Sequence, residues 1–146
     1  MIMPLTFLRR SLACALVLVA LLWLGACGAN SNRQRVDVGL STFGMTLSAN
    51  EVKAGLVTFV VKNNATDQTH EFVVVQTDLP TDQIPVNSDT HLIDEEQLTV
   101  LGEVEDRDSG AIKRLTLDLK PGRYVLVCNL ASRYQSGMHS ELTVTP

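Results

Sequence analysis

The stretch that decides the fold is Leu119-Lys120-Pro121-Gly122-Arg123-Tyr124-Val125-Leu126-Val127-Cys128. Lys120-Pro121-Gly122 reads as a turn, because proline presets one backbone angle and glycine admits conformations closed to other residues. Before the turn, Ile112, Leu115, Leu117 and Leu119 alternate with polar positions, imperfectly at the start. After it, β-branched and aromatic residues run as far as Cys128. Two such runs around a tight turn form a β-hairpin. Side chains alternate faces along a strand, so Tyr124, Leu126 and Cys128 share one side while Val125 and Val127 share the other.

The rest of the chain follows the same grammar. Val36-Asp37-Val38-Gly39-Leu40 alternates, and so does Met45-Thr46-Leu47. Glu51 to Gly55 reads as a turn leading into a strand from Leu56 to Lys62, which Asn63-Asn64 closes. Asn64-Ala65-Thr66 matches a glycosylation sequon and reads as a turn. His70 to Gln76 is a further strand, and Met138 to Thr145 closes the chain. No apolar spacing of helical period runs long enough for a helix. Seven or eight short strands in about 110 residues, with turns at near-regular intervals, predict an all-β, single-domain Greek-key β-sandwich. One segment breaks the rhythm. Residues 77–110 form a long connection rich in Asp and Glu, including Asp94, Glu95, Glu96, Glu103 and Glu105. Within it, Ile93 to Leu101 suits a turn or two of helix. The segment reads either as a solvated excursion or as an acidic patch that steers a basic partner.

The N-terminus has the layout of an export signal. Arg9 and Arg10 precede an apolar stretch from Leu12 to Gly25, fourteen residues long. That is short for a bilayer span, which takes about 20 residues, but suits the apolar region of a signal peptide. Leu24-Gly25-Ala26-Cys27 resembles the lipobox of bacterial lipoproteins, in which the cysteine is lipidated and becomes the new first residue. The expected organisation is a signal over 1–26, a lipid-anchored tether over 27–34 with Cys27 lipidated, and the sandwich over 35–146. The anchor implies an extracytoplasmic protein held on the cell membrane or the outer membrane, in the periplasm or at the cell surface.

Removing the first 26 of 146 residues takes away Arg9 and Arg10 and no acidic residue, so the formal charge moves from −4 to −6. With that charge and no basic patch visible in the sequence, nucleic acid is not an expected partner. Cys14 leaves with the signal and Cys27 carries lipid, which leaves Cys128 alone in a disulfide-permissive compartment. Such a cysteine is a reactive thiol, an intermolecular bridge or a metal ligand. With Met138 ten residues on and His70 opening another strand, the residue types are those of a soft-metal site. Taken singly, each is as readily a core or hydrogen-bonding residue.

The stretch from Lys120 to Leu130, continuing to Gly137-Met138, resembles the copper-binding C-terminus of the cupredoxins, with the sulfocyanin-like members closest. Gly55 to Asn64 followed by His70-Glu71-Phe72-Val73-Val74 resembles their other signature, a strand, a loop and the first ligand histidine. The resemblance runs from about Val36 to Val144. It implies copper held by two histidines and a cysteine in a plane with a weak axial methionine, and it implies electron transfer. His70, Cys128 and Met138 match three of those positions. The second histidine belongs in a Gly-His-Tyr triplet five residues after the cysteine, where this chain has Ser132-Arg133-Tyr134.

A guanidinium offers only donors, so Arg133 cannot ligate a metal. Three arrangements remain open. His139 substitutes as a ligand, although strand parity turns it away from Met138. Alternatively His70, Cys128 and Met138 alone hold Cu(I), which tolerates few, soft ligands. Or the site takes no metal, with Cys128 packed in the core and Arg133 paired to a carboxylate. The functions that follow are a membrane-tethered copper protein, transferring electrons or handling Cu(I) and docking a redox partner at the acidic loop, or a metal-free scaffold for binding and assembly. A cysteine enzyme with His139 as base is not expected, since nothing marks an orienting third group or an oxyanion site.

Overall fold

Alternation along two neighbouring strands builds one wall of the core. In the computed structural model, which describes residues 33–106 and 108–146, β1 (Gln34–Ser41) and β4 (Gly55–Asn63) run parallel. They turn Val36, Val38, Leu40, Val57, Phe59 and Val61 inward. β2 (Gly44–Leu47) and β7 (Ile112–Leu119) flank them, giving the order β2-β1-β4-β7. The second sheet has the order β3-β9-β8-β5-β6. Its strands are β3 (Glu51–Lys53), β5 (His70–Gln76), β6 (Thr99–Asp106), β8 (Gly122–Val127) and β9 (His139–Thr145). Phe72, Val74, Tyr124, Leu126, Leu142 and Val144 face the first sheet from it. The result is the expected all-β sandwich in one domain.

The Phe59 and Phe72 rings meet across the core with centroids 5.4 Å apart. Such a pair adds about 0.5–1.5 kcal/mol beyond the area it buries. The Tyr124 hydroxyl donates to the Lys120 carbonyl at 2.7 Å and accepts the Lys120 N–H at 3.1 Å, pinning the turn between β7 and β8.

Three expectations need correction. Glu51–Lys53 is a strand rather than a turn, paired in parallel with β9, and Val52 supplies its one buried side chain. The turn of helix expected within 93–101 is present as a single 3-10 turn at Glu95–Gln97, but the rest of the long connection departs from the reading. Residues 99–106 form β6, which pairs along β5 with a bulge at Val74/Val75. The preceding loop is a cover, not a free excursion. Ile84, Ile93 and Tyr134 pack on Val73, Val75, Val125 and Val127, the outward residues of β5 and β8. Burying that second apolar face keeps it from water, which a bare sheet would not do. The signal, Cys27 and the tether as far as residue 32 lie outside the described residues.

At one end of the sandwich β1, β4 and β8 finish while β5 and β9 begin. The connections made there include the β1–β2 turn, the β4–β5 loop and residues 128–138 between β8 and β9.

Candidate metal centre

The loop that follows β8 is short and tied at both ends. The Cys128 N–H donates to the Met138 carbonyl at 2.9 Å, and the Met138 N–H donates to the Arg133 carbonyl at 3.1 Å. Within it, Arg133 N–H reaches the Leu130 carbonyl and Gly137 N–H the Tyr134 carbonyl, each at 2.9 Å. Gly137 sits at φ 92°, where glycine turns the chain into β9 without steric cost. Ser132 also has a left-handed backbone, φ 65°. It occupies the place of the expected glycine, so this chain keeps that turn with a residue that adopts it less readily.

His70, Cys128 and Met138 are all buried, and Cys128 and Met138 belong to the core between the sheets. His70 Nδ1 lies 3.7 Å from Cys128 Sγ. A first-row metal with bonds of about 2.0 Å to imidazole and about 2.3 Å to thiolate, at a trigonal angle, separates those atoms by about 3.7 Å. The backbone N–H groups of Glu71 and Leu130 donate toward Cys128 Sγ and favour the thiolate, as does the charge of Arg133. Burial outweighs them and pushes the Cys128 thiol up, with the Glu71 carboxylate acting in the same direction. Without a cation the sulfur is therefore protonated at neutral pH. The residues present fit a soft cation: one imidazole, one buried sulfur 3.7 Å from it, and a buried thioether in the same core. Among the described residues no three His, Cys, Asp or Glu side chains converge on one point.

His139 stands elsewhere. It pairs with Val127 and is half-buried on the outer side of the sheet, with its ring 5.1 Å from that of Tyr134. Burial holds its imidazole below the ordinary range. The strand pleat that puts Met138 in the core puts His139 on the opposite face. His91 is exposed in the covering loop.

Arg133 is half-buried and closes the pole. Its guanidinium donates to the Thr42 carbonyl and, at 2.7 Å, to Gln68 Oε1, and lies 5.2 Å from the centre of the Phe43 ring. The expected carboxylate partner is replaced by two neutral oxygens and a π face. Thr42, Phe43 and Gln68 were missed from the sequence because they lie 65 to 91 positions from Arg133. The one available signal was an aromatic residue in a hairpin turn, since Phe43 is 65% exposed.

Beside the buried trio the outer face turns acidic. Glu71 is opposite Glu105 in the β5–β6 ladder, and Glu103 is two pairs further on, opposite Val73. Partial burial, then repulsion from Glu103, Glu95 and Glu105, pushes the Glu71 carboxyl up to about 7. Asn129, next to the cysteine, joins this face to the pole. Its amide donates to Glu95 at 2.5 Å and its carbonyl oxygen accepts the Ile93 N–H at 2.7 Å.

No protein-family model and no curated protein sequence matches the chain. Solved structures do. Dithionite-reduced auracyanin from Roseiflexus castenholzii superposes with TM-score 0.55 at 20% identity, over 80% of this chain and 98% of that one. Rusticyanin from Thiobacillus ferrooxidans gives 0.59 at 18% identity, over 78% of each chain. Auracyanin A from Chloroflexus aurantiacus, described as a "blue" copper protein, gives 0.56 at 17% identity, over 77% of this chain and 99% of that one. The fold is that of the cupredoxins. At these identities the likeness establishes architecture. The cupredoxin-like chain's metal chemistry has to be argued from its own residues.

Proposed function

We propose that the chain is a membrane-tethered, extracytoplasmic copper-binding protein whose site favours Cu(I), held by His70, Cys128 and Met138. The observation that carries this reading is the 3.7 Å approach of His70 Nδ1 to a buried Cys128 Sγ that two backbone amides also address.

Copper supplies one-electron chemistry when bound, and each residue has a part in setting which oxidation state is retained. Cys128 gives up its proton and offers a thiolate, and His70 offers a neutral nitrogen. Met138 provides a soft thioether with no charge. Arg133 adds a fixed positive charge nearby, which disfavours a divalent ion more than a monovalent one. The rigid sandwich holds the donors in place through any change of charge. On the acidic side Glu95, Glu103 and Glu105 supply negative potential for docking a basic redox partner. The N-terminal segment supports a lipid anchor at Cys27. No catalytic role is assigned.

The test is titration of the purified chain with Cu(I) against a chromophoric chelator without oxygen, followed by Cu(II) addition and visible spectroscopy. One equivalent of Cu(I) is expected to be retained, and Cys128→Ser should weaken retention at least a hundredfold, at or beyond the upper end of outer-shell effects. An intense thiolate charge-transfer band with Cu(II) would assign electron transfer, and Cu(I) retention without it would assign Cu(I) handling. Loss of both leaves a second reading, a metal-free scaffold. One observation favours that alternative: Arg133 already ties the loop after β8 to the β1–β2 turn and to the β4–β5 loop through Gln68.

A further inference from the structure

The outer face of the four-stranded sheet carries a charge opposite to that of the domain. Arg35, Lys62 and Arg114 alternate outward on β1, β4 and β7, with Arg33 just before β1. The acidic residues at outward positions of those strands are Asp37, bonded to Arg35 at 2.5 Å, and Asp118. Four cations therefore stand against two anions. Over residues 33–146 the balance is reversed, since that span holds all 16 acidic residues and all but Arg9 and Arg10 of the 12 basic ones. Sheet topology assembles this patch from positions far apart in sequence, which is why it is invisible there. Leu56 and Ile112, 38% and 52% exposed, stand on the same face. Two clefts open on it, of about 420 and 350 Å³, with Arg35 and Lys62 lining one and Arg33, Arg35 and Arg114 the other.

The chain outside the described residues joins at this strand. Arg33 leads directly into β1, and Cys27, the expected lipidation site, lies six residues upstream. A fully extended residue spans at most about 3.6 Å, so a tether that short keeps the start of β1 near a lipid carried on Cys27. Basic side chains with interspersed apolar ones complement a surface of lipid phosphates over acyl chains. The acidic residues on the far sheet do not cancel this. They lie more than a Debye length of about 8 Å away at physiological salt, beyond sheets that are themselves about 10 Å apart.

We infer that this face lies on an anionic lipid bilayer, with Arg33, Arg35, Lys62 and Arg114 at the phosphates and Leu56 and Ile112 toward the acyl chains. From the reading above, the inference takes only that the N-terminal segment holds the domain at a membrane; it is independent of copper. With the sheet flat on the bilayer, the acidic β5–β6 face points to the aqueous side, and the pole that holds His70 and Cys128 opens sideways. Each basic residue near such a surface strengthens partitioning roughly fivefold.

The experiment places the full chain on vesicles of phosphatidylcholine with and without phosphatidylglycerol and labels its amines with a water-soluble reagent, read by mass spectrometry. Lys62 labelling is expected to fall several-fold relative to Lys53 and Lys120 on the anionic vesicles alone. Added salt, or the Arg35→Gln/Arg114→Gln double variant, should restore it. Equal Lys62 labelling on both vesicles, with the chain retained on them, overturns the inference and leaves the face to a protein partner. Release of the chain from both kinds of vesicle overturns the tethered reading as well, so the two failures are told apart by where the protein is found.

Discussion

Two corners of the same pole are built on different principles. At one, His70, Cys128 and Met138 are buried, and the sulfur is addressed by an imidazole and two backbone amides. At the other, a half-buried guanidinium is held by a carbonyl, an amide oxygen and an aromatic ring. The first corner is inherited from the fold: its donors come from strand ends whose positions the sheets dictate. The second depends on side chains that reach across loops. Arg133 thus sets a permanent cation beside the sulfur without being part of the sulfur's own contacts.

The sharpest way to break this contrast is Arg133→His. If the first corner is a complete half-site, the variant gains the missing imidazole and should show an intense visible charge-transfer band with Cu(II). Arg133→Ala, which removes the charge without adding a donor, should not. A colourless Arg133→His protein, correctly folded by circular dichroism, would mean that the loop no longer points that position at the sulfur.

Met138 separates packing from ligation at the first corner. It is fully buried, so Met138→Ala should cost the metal-free protein about 2–5 kcal/mol in urea denaturation. Met138→Leu keeps the volume and should cost less than about 1.5 kcal/mol. If the thioether is a ligand, Met138→Leu still weakens Cu(I) retention in chelator competition. Unchanged retention would make Met138 a core residue only.

How much of this was legible from the sequence depends on how far apart the interacting residues lie. The hairpin around Pro121-Gly122 and the parity of Cys128 and Met138 against His139 are local, and strand period alone places them. β6 was hidden because Gly102, Glu103 and Glu105 interrupt the apolar pattern, leaving only Val100, Leu101 and Val104 to mark it. Those acids are tolerated because they face outward beside Glu71, at an electrostatic cost. The partners of Arg133 and the basic face of the first sheet had no local signal, since only tertiary contacts bring them together.

The electrostatic cost at Glu71 makes a pH prediction. Its carboxyl is raised from 4.5 to about 7 in the folded protein, by partial burial and by Glu103, Glu95 and Glu105. Between those values the folded state keeps a proton that the unfolded state has lost, so stability falls as pH rises through that window. Below it both states are protonated, and above it the loss is complete. Solvent screening keeps the effect modest. Urea midpoints of the metal-free protein should decline from pH 5 to pH 8, and Glu71→Gln should flatten the decline (the pH values bracket the titration). A decline of equal steepness in the variant would place the responsible group elsewhere.

The smallest expected effect bears on whether the second corner is a remodelled copy of the cupredoxin loop or a new one. Ser132 holds a left-handed backbone at φ 65°, and its N–H donates to the His91 carbonyl at 3.0 Å. Non-glycine residues adopt that conformation at a cost of about 1 kcal/mol. Glycine removes the cost but gives the unfolded chain more freedom, worth about 0.4–1 kcal/mol against it, so Ser132→Gly should stabilise the protein by at most about 0.5 kcal/mol. The urea midpoint should rise with an unchanged slope, and Cu(I) retention should not move. Destabilisation instead would show that serine contributes something glycine cannot. The loop would then differ from the expected Gly-His-Tyr turn in backbone as well as in side chain.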